Sequence, residues 1–303
     1  MPELFGWVAP ELRTRSVQAS FERLQENQYV FLREAFDLRD SGAGEIALLY
    51  KSLEKVHGRF PVNNQTIGDC VSHGYAKCIE VLMAVEIVLR KDPEIWPGVL
   101  TATEWIYGTS RVIQGGGRLG NQDGSLGVWG QQAVKDNGTL LRKKYEGVDL
   151  TTYSGSKAKD WGYRGLPHEL ENIADLHPVK TTALVKTYNQ ARDAISNGYP
   201  VAVCSNRGFR SSRDAEGFAS PSGSWAHCMA FVAVDDQFRR PGLLCMNSWG
   251  ETWISGPKRH EQPEGSFWVD ADTVDQMLGE DDSYALSNFE GYPSRNLDPT
   301  LWD

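Results

Sequence analysis

Cysteine is scarce here and unpatterned. Five cysteines in 303 residues, an odd number without clustering, do not make the disulfide framework of a small secreted domain. Positive charge is also short: 31 Lys and Arg stand against 40 Asp and Glu, a net charge of −9. Phosphate binding wants a basic face, so nucleic acid is excluded as the main partner. The longest apolar run, Val81 to Leu89, is interrupted by Glu86 and is too short to span a bilayer. Met1 to Trp7 carries no basic segment followed by an apolar run, so no secretory signal is visible. The triplets at Asn64 and Asn137 that match a glycosylation acceptor are then chance matches. These absences together predict reduced thiols in the cytoplasm, or on or in a particle. Gly-x-Ser-x-Gly, His-Glu-x-x-His and Cys-x-x-Cys are missing too, which leaves serine-hydrolase and zinc chemistry without support. No metal or organic cofactor is expected. Gly115 to Gly120 satisfies Gly-x-Gly-x-x-Gly, but it follows a predicted helix where a dinucleotide site requires a strand.

What is present is an ordinary globular composition, with 40% hydrophobic residues and 30 Gly, enough for one large domain or two closely packed lobes. Residues 1–59 read as a leader, partly helical, with helices expected over Val17 to Phe36 and Ile46 to Val56. From Cys70, the residues Val71, Tyr75, Cys78, Leu82, Val85 and Leu89 recur at helical spacing on one face. Further helices are expected over Thr101 to Gln114, Trp129 to Asn137 and Asn189 to Asn197. The pattern then changes to short apolar or β-branched runs divided by Gly, Pro and Asp: Pro200 to Cys204, His227 to Val234, Gly242 to Asn247 and Ser266 to Val269. Helices dominate the first half and strands the second, an α+β arrangement of two unlike lobes. The helical lobe covers about 60–165 and the β-rich lobe about 166–278. The tail, 279–303, carries Phe289, Tyr292, Leu297 and Trp302, which read as anchors onto the body or onto a partner.

Three separated segments carry residues suited to one reaction. Cys70 begins a helix, where unpaired N–H groups and the helix dipole lower a thiol pKa. Cys78, Cys204, Cys228 and Cys245 read instead as small buried hydrophobes. His227 follows Trp225 at the start of an apolar strand and is the candidate base. Its rival is His73, one turn along from Cys70, where hydrogen-bond contact within one helix is hard to achieve. Asn247 closes a strand and has an amide oxygen able to accept the His227 ring proton. Trp249 is placed to cover that bond and keep water out.

These segments resemble the papain family of cysteine peptidases. Pro61-Val62-Asn63-Asn64-Gln65 to Cys70, then His227 with its apolar strand, and Asn247-Ser248-Trp249-Gly250 to Trp253 match the family's motifs, and the likeness covers about residues 60 to 270. Asp123-Gly124-Ser125 resembles the substrate-wall segment whose backbone pairs with the bound peptide. The resemblance implies a two-lobed fold, with a helical first lobe, an antiparallel β-barrel-like second lobe and the active-site cleft between them. It also implies Cys70 as nucleophile, His227 as base and acid, Asn247 as orienter and Gln65 as oxyanion donor, with Asp123, Gly124, Ser125, Trp225 and Trp249 contacting substrate. There are departures. The family places its Gln six residues before the nucleophile, which would select Asn64 here. Pro-Val-x-Asn-Gln matches as a unit, so Gln65 is taken, with a loop one residue shorter. Val71 replaces an aromatic, and Ile67 replaces a bridging Cys. Ile254 to Glu264 is an insertion carrying Lys258, Arg259 and His260.

The expected function is hydrolysis of peptide bonds in a peptide or protein substrate through a thioester. The alternative is a papain-fold structural or interaction component of a larger assembly, such as a virus particle, engaged through leader and tail. An amidase or transferase on the same scaffold is disfavoured by Asn-Ser-Trp-Gly.

Overall fold

The computed structural model describes residues 4–31, 41–90, 100–177, 179–295, 297 and 302. Its helices are α1 Arg15–Gln25, α2 Leu49–His57, α3 Cys70–Arg90, α4 Thr103–Gly108, α5 Gly127–Asp136, α6 Gly155–Arg164, α7 Glu171–Ala174, α8 Tyr188–Ser196 and α9 Ala271–Leu278. The strands are β1 Ile46–Ala47, β2 Lys144–Tyr145, β3 Val148–Asp149, β4 Thr181–Leu184, β5 Val201–Arg213, β6 Ala219–Asp235, β7 Gly242–Met246, β8 Ser266–Asp270 and β9 Tyr284–Ser287. Apart from the small β2–β3 pair, the strands form one seven-stranded antiparallel sheet in the order β4-β9-β5-β6-β7-β8, with β1 added on β6. That path does not close on itself among the described residues. No described helix is long and apolar enough to cross a membrane.

Helix α3 is the centre of the molecule. Every residue from Cys70 to Leu82 is buried, as befits a helix enclosed on all sides rather than amphipathic. Its polar members are paired. Lys77 donates to the Pro61 carbonyl at 2.6 Å and to Glu80 at 2.5 Å, and Glu80 accepts the Thr101 N–H at 2.9 Å. This ties the Pro61 segment to the helix that starts at Cys70. One face of α3 lies on β6 through Gly74. A Cβ there would stand 2.8 Å from the Cys228 sulfur and 3.0 Å from the Met229 carbonyl oxygen. The missing side chain lets the helix approach the strand that carries His227.

Several expected elements differ in extent. Helix α1 is N-capped by Thr14 and ends at Gln25, short of Phe36; the segment beyond Phe31 lies outside the described residues. The helix expected to reach Gln114 is α-helical only to Gly108, then π-helical over Thr109–Gln114. There the Thr109 and Ser110 hydroxyls donate back to carbonyls of Trp105, Ile106 and Tyr107, and the Gly115 N–H reaches Ser110, the i→i+5 bond of a π-turn. Strands β5 and β6 run 13 and 17 residues, so His227 lies within β6 rather than starting it. The extension passes through polar, partly exposed Ser and Arg residues with register shifts after Ser205, where alternation gives no signal.

The tail anchors onto the body. Tyr292 is buried, donates to the Ala285 carbonyl at 2.7 Å and stacks edge-on against Phe31 and Tyr199. Trp302 is buried, and its carbonyl accepts from Lys51 at 2.6 Å.

Candidate active site

His227 and Asn247 come from neighbouring strands β6 and β7. The His227 Nε2 stands 2.8 Å from Asn247 Oδ1, which also accepts the Ser248 N–H at 2.7 Å. An amide oxygen can only accept, so Nε2 carries the proton and Nδ1 keeps the free lone pair. Nδ1 is buried and has no hydrogen-bond partner. The indole of Trp249 lies over the imidazole, with ring centroids 4.7 Å apart. Burial pushes the His227 pKa down to about 4; the bond to Asn247 works against this, and His73 adds to it.

Cys70 opens α3 and is fully buried. Its sulfur accepts the N–H of Cys228, the residue after His227, at 3.3 Å. Burial holds the thiol well above its ordinary pKa, with the Cys228 side chain adding to this and the Cys228 N–H opposing it. The thiol is therefore neutral, and it is not hydrogen-bonded to His227 in this state.

Gln65, not Asn64, is the buried side chain of its pair. It is locked to the β7 end: Gln65 N–H donates to the Ser248 carbonyl at 2.8 Å, and Ser248 Oγ donates to Gln65 Oε1 at 2.5 Å. Its Nε2 donates to the carbonyls of Ile67 at 2.9 Å and of Leu4 at 3.2 Å. His73 is engaged elsewhere. Its Nδ1 lies 3.1 Å from Asn63 Nδ2 and its Nε2 3.4 Å from Asp69, which also accepts from Tyr153 at 2.9 Å.

The wall segment is held by Arg111, buried beneath it, whose guanidinium donates to the carbonyls of Gly124 at 2.5 Å, Gly120 at 2.8 Å and Gly162 at 3.0 Å. Asp123 is engaged by the body, accepting the Gly68 N–H at 3.2 Å and pairing with Lys159 at 3.1 Å. Trp225 packs against Trp249, Trp253 and Phe209. Together with Leu4, Gln65, Arg210 and Thr252 these aromatics line a cavity of about 670 Å³. The insertion turns its cations outward or onto Asp235: Lys258 pairs with Glu264, while Arg259 and His260 both pair with Asp235.

The groove is occupied by the chain's own N-terminal residues, which nothing in the sequence pattern announced. Gly6 and Trp7 donate their N–H groups to the Ala226 carbonyl at 3.2 and 3.1 Å. Ser125 brackets Trp7 in parallel register: its N–H donates to Gly6 at 2.8 Å, and its carbonyl accepts from Val8 at 2.9 Å. Phe5 sits edge-on to His227 and Trp249. The Leu4 carbonyl takes the Trp249 indole N–H at 3.0 Å as well as the Gln65 amide. Gly6 is the point of closest approach, since a Cβ there would stand 2.2 Å from the Gly68 carbonyl oxygen.

Solved structures share this architecture. Xylellain, a cysteine protease from Xylella fastidiosa, is 14% identical and superposes with a TM-score of 0.60 over 93% of this chain and 95% of its own. Digestive procathepsin L2 proteinase from the Tenebrio molitor larval midgut is 16% identical, TM-score 0.53, over 87% and 75%. Digestive procathepsin L 3 of the same larvae is 13% identical, TM-score 0.52, over 88% and 79%. The chain has the papain-like fold. No protein-family model matches the sequence, and no curated protein matches it either. At such low identity it is the fold that is shared. The Trp7 indole N–H donates to the buried Asp282 carboxylate at 2.7 Å, and the Arg13 guanidinium stands 3.6 Å from the same oxygen. Within this papain-like frame, Leu4 to Val8, Arg13, Arg111 and Asp282 are residues around the site that sequence reasoning missed. Each acts through a partner distant in sequence or through its backbone.

Proposed function

We propose that the protein is a cysteine peptidase held in a closed state by its N-terminal strand. The observation that carries this is the His227–Asn247 pair, with Nδ1 left free beside the strand that touches Cys70. In the open state the Cys70 thiol passes its proton to His227 Nδ1, and the thiolate attacks a peptide carbonyl carbon. The carbonyl oxygen takes negative charge between the Gln65 amide and the Cys70 N–H. His227 returns the proton to the leaving amine as the C–N bond breaks. Water, deprotonated by His227, then hydrolyses the thioester and frees the thiol. Asn247 orients the ring throughout, and no step requires a metal.

Two features make the present state closed. Burial keeps both Cys70 and His227 neutral, and the Leu4 carbonyl occupies the Gln65 donor. Displacing the strand readmits water and relieves both shifts in the direction catalysis needs. The five cysteines are all unpaired, which suits a reducing setting, the cytoplasm or a particle. The tail aromatics that motivated an assembly role are seated on the chain's own body, so the assembly reading has no separate support. The test is alkylation of Cys70 by iodoacetamide together with hydrolysis of a casein-derived peptide mixture. Both are expected in the wild type after strand displacement and absent in Cys70→Ala; hydrolysis that survives Cys70→Ala would sink the reading.

A further inference from the structure

Cys78, Cys204, Cys228 and Cys245 are buried free thiols that the proposed reaction does not use. Two of them lie beside Cys70. Cys204 on β5 and Cys228 on β6 stand directly opposite each other in antiparallel register, so their side chains share one face of the sheet. The backbone shows which kind of pair this is. The Cys204 N–H donates to Ser283 Oγ at 3.1 Å, and its carbonyl accepts from the same hydroxyl at 3.4 Å. Both groups therefore point toward the β9 flank, away from β6. The Cys228 N–H turns away from β5 as well and donates to Cys70 Sγ at 3.3 Å. This is a non-hydrogen-bonded pair, in which the Cα atoms stand about 4.5 Å apart and the side chains are at their closest. That separation falls within the range a disulfide spans, about 4.4–6.8 Å.

Helix α3 covers the same spot. A Cβ on Gly74, one turn on from Cys70, would stand 2.8 Å from the Cys228 sulfur, so that thiol rests against bare helix backbone. The sulfurs of Cys70, Cys228 and Cys204 are thus gathered under the first turns of one helix. Cys204 and Cys228 are fully buried, and an apolar core keeps such thiols inert toward reagents in solution. Cys70 is their route of entry, because opening of the N-terminal strand uncovers it. Cys245 is on the wrong side of the sheet. It lies opposite Phe231 and donates to Met229 Sδ at 3.6 Å, and Met229 and Cys228, neighbours in one strand, point to opposite faces.

We propose that Cys228 and Cys204 are an oxidation site coupled to Cys70, taking a disulfide from it and returning it to the thiol. The oxidant is hydrogen peroxide. The Cys70 thiol attacks one peroxide oxygen, the O–O bond breaks, and Cys70 sulfenic acid and water result. The Cys228 sulfur attacks the Cys70 sulfur, and the hydroxyl leaves with the Cys228 proton as a second water. Cys204 then attacks the Cys228 sulfur of the mixed disulfide, and Cys70 departs and takes up the Cys204 proton. One peroxide and two thiols give one disulfide and two waters. Cys70 is the better leaving thiol because it begins a helix, where the dipole steadies a thiolate. The inference rests on the reading that the N-terminal strand covers Cys70, and not on peptide cleavage.

The full-length Gly6→Ala chain is used, since a carbon 2.2 Å from the Gly68 carbonyl oxygen weakens the seat of the strand. It is treated with hydrogen peroxide, blocked with iodoacetamide and mapped by peptide mass spectrometry. Iodoacetamide alone, on a parallel sample, reads whether Cys70 is open, which tells a failure of closure from a failure of the thiol site. The expected product is a Cys204–Cys228 disulfide, with most Cys70 recovered as alkylatable thiol. Adding Cys204→Ala should stop the sequence at a Cys70–Cys228 disulfide. Adding Cys228→Ala should abolish both disulfides and drive Cys70 to sulfinic acid. Three results overturn the inference: sulfinic acid forming on Cys70 equally fast with and without Cys228, a disulfide from Cys228 to Cys78 in place of Cys204, or peroxide that leaves every thiol reduced. Each added variant deletes a core sulfur and can cost folding, so the map of the Gly6→Ala chain decides by itself: absence of the Cys204–Cys228 disulfide there is enough to overturn. If that disulfide forms while no peptide is cut, the peptidase reading fails and the thiol site stands.

Discussion

On one side of His227 the groove is filled by Trp7, whose indole ends on Asp282 at 2.7 Å; on the other a cavity of about 670 Å³ stands between Trp225, Trp249 and Arg210. The filled half is held by groups that need each other. The backbone of Gly6 and Val8 satisfies Ser125, Trp7 and Arg13 satisfy Asp282, and Gly6 is small enough for the Gly68 carbonyl. The cavity on the other side is lined by aromatic faces and an exposed arginine, which attract no particular strand. Gln65 stands at the border, with its amide on the Leu4 carbonyl. Closure is therefore a property of one half only, and each half can be perturbed alone.

The largest effect is expected at the border. In a protein opened by Gly6→Ala, the further change Gln65→Ala should lower turnover by about 10²–10³, since it removes an oxyanion donor. Steady-state hydrolysis of a fluorogenic peptide measures this. An unchanged rate would move the donor role elsewhere, Asn64 being the neighbouring candidate from the sequence.

Next comes the filled half itself. Gly6→Ala places a carbon 2.2 Å from the Gly68 carbonyl oxygen, a backbone atom that cannot turn aside. Overpacking of this kind costs about 1–3 kcal/mol, which corresponds to roughly five- to 150-fold more of the open state. The rate of Cys70 alkylation should rise by that factor, while the thermal midpoint of the body moves little. A rate equal to wild type would mean that the strand does not control access to the thiol.

A third measurement separates the two buried titrating groups. Burial raises the Asp282 pKa to about 6 from 3.8, with Arg13 and the surrounding N–H donors working against it. Its contribution to stability is thus present at low pH and is lost as pH rises through 6. Burial lowers His227 to about 4 from 6.5, so its contribution is present above 6.5 and lost as pH falls toward 4. The two oppose each other between pH 4 and 6, and wild-type stability should be nearly flat there. Asp282→Asn removes one side of the balance. The variant should lose about 2 kcal/mol more than wild type on acidification across that window, read from urea unfolding at a series of pH values. Parallel curves would show that Asp282 does not take up a proton in the folded protein.

These contrasts also explain what could be read from the sequence. His227 and Asn247, which the structure joins by a hydrogen bond, and Cys70 at the helix start were singled out by local pattern: a continuous apolar strand, a strand end and a helix start. The length of α3 was legible for the same reason. Trp7 and Asp282 were not, because their meaning is a contact across 275 positions and neither has a local pattern. The β5–β6 hairpin was half legible. Its apolar ends, Val201 to Cys204 and His227 to Val234, declare themselves, but its polar tip with shifted register does not.

The smallest effect is predicted in the open half, and it is the control for the rest. Arg210 lines the cavity and is exposed, so Arg210→Ala should change folding stability by no more than about 0.5 kcal/mol. If closure belongs to the filled half alone, the same variant should leave the Cys70 alkylation rate of the resting protein within about twofold of wild type, because less than about 0.4 kcal/mol reaches the open–closed balance. A rise comparable to that of Gly6→Ala would show the two halves to be coupled through Leu4, which touches both the cavity and the Gln65 amide. The strand would then be held from both ends rather than by its Trp7 anchor.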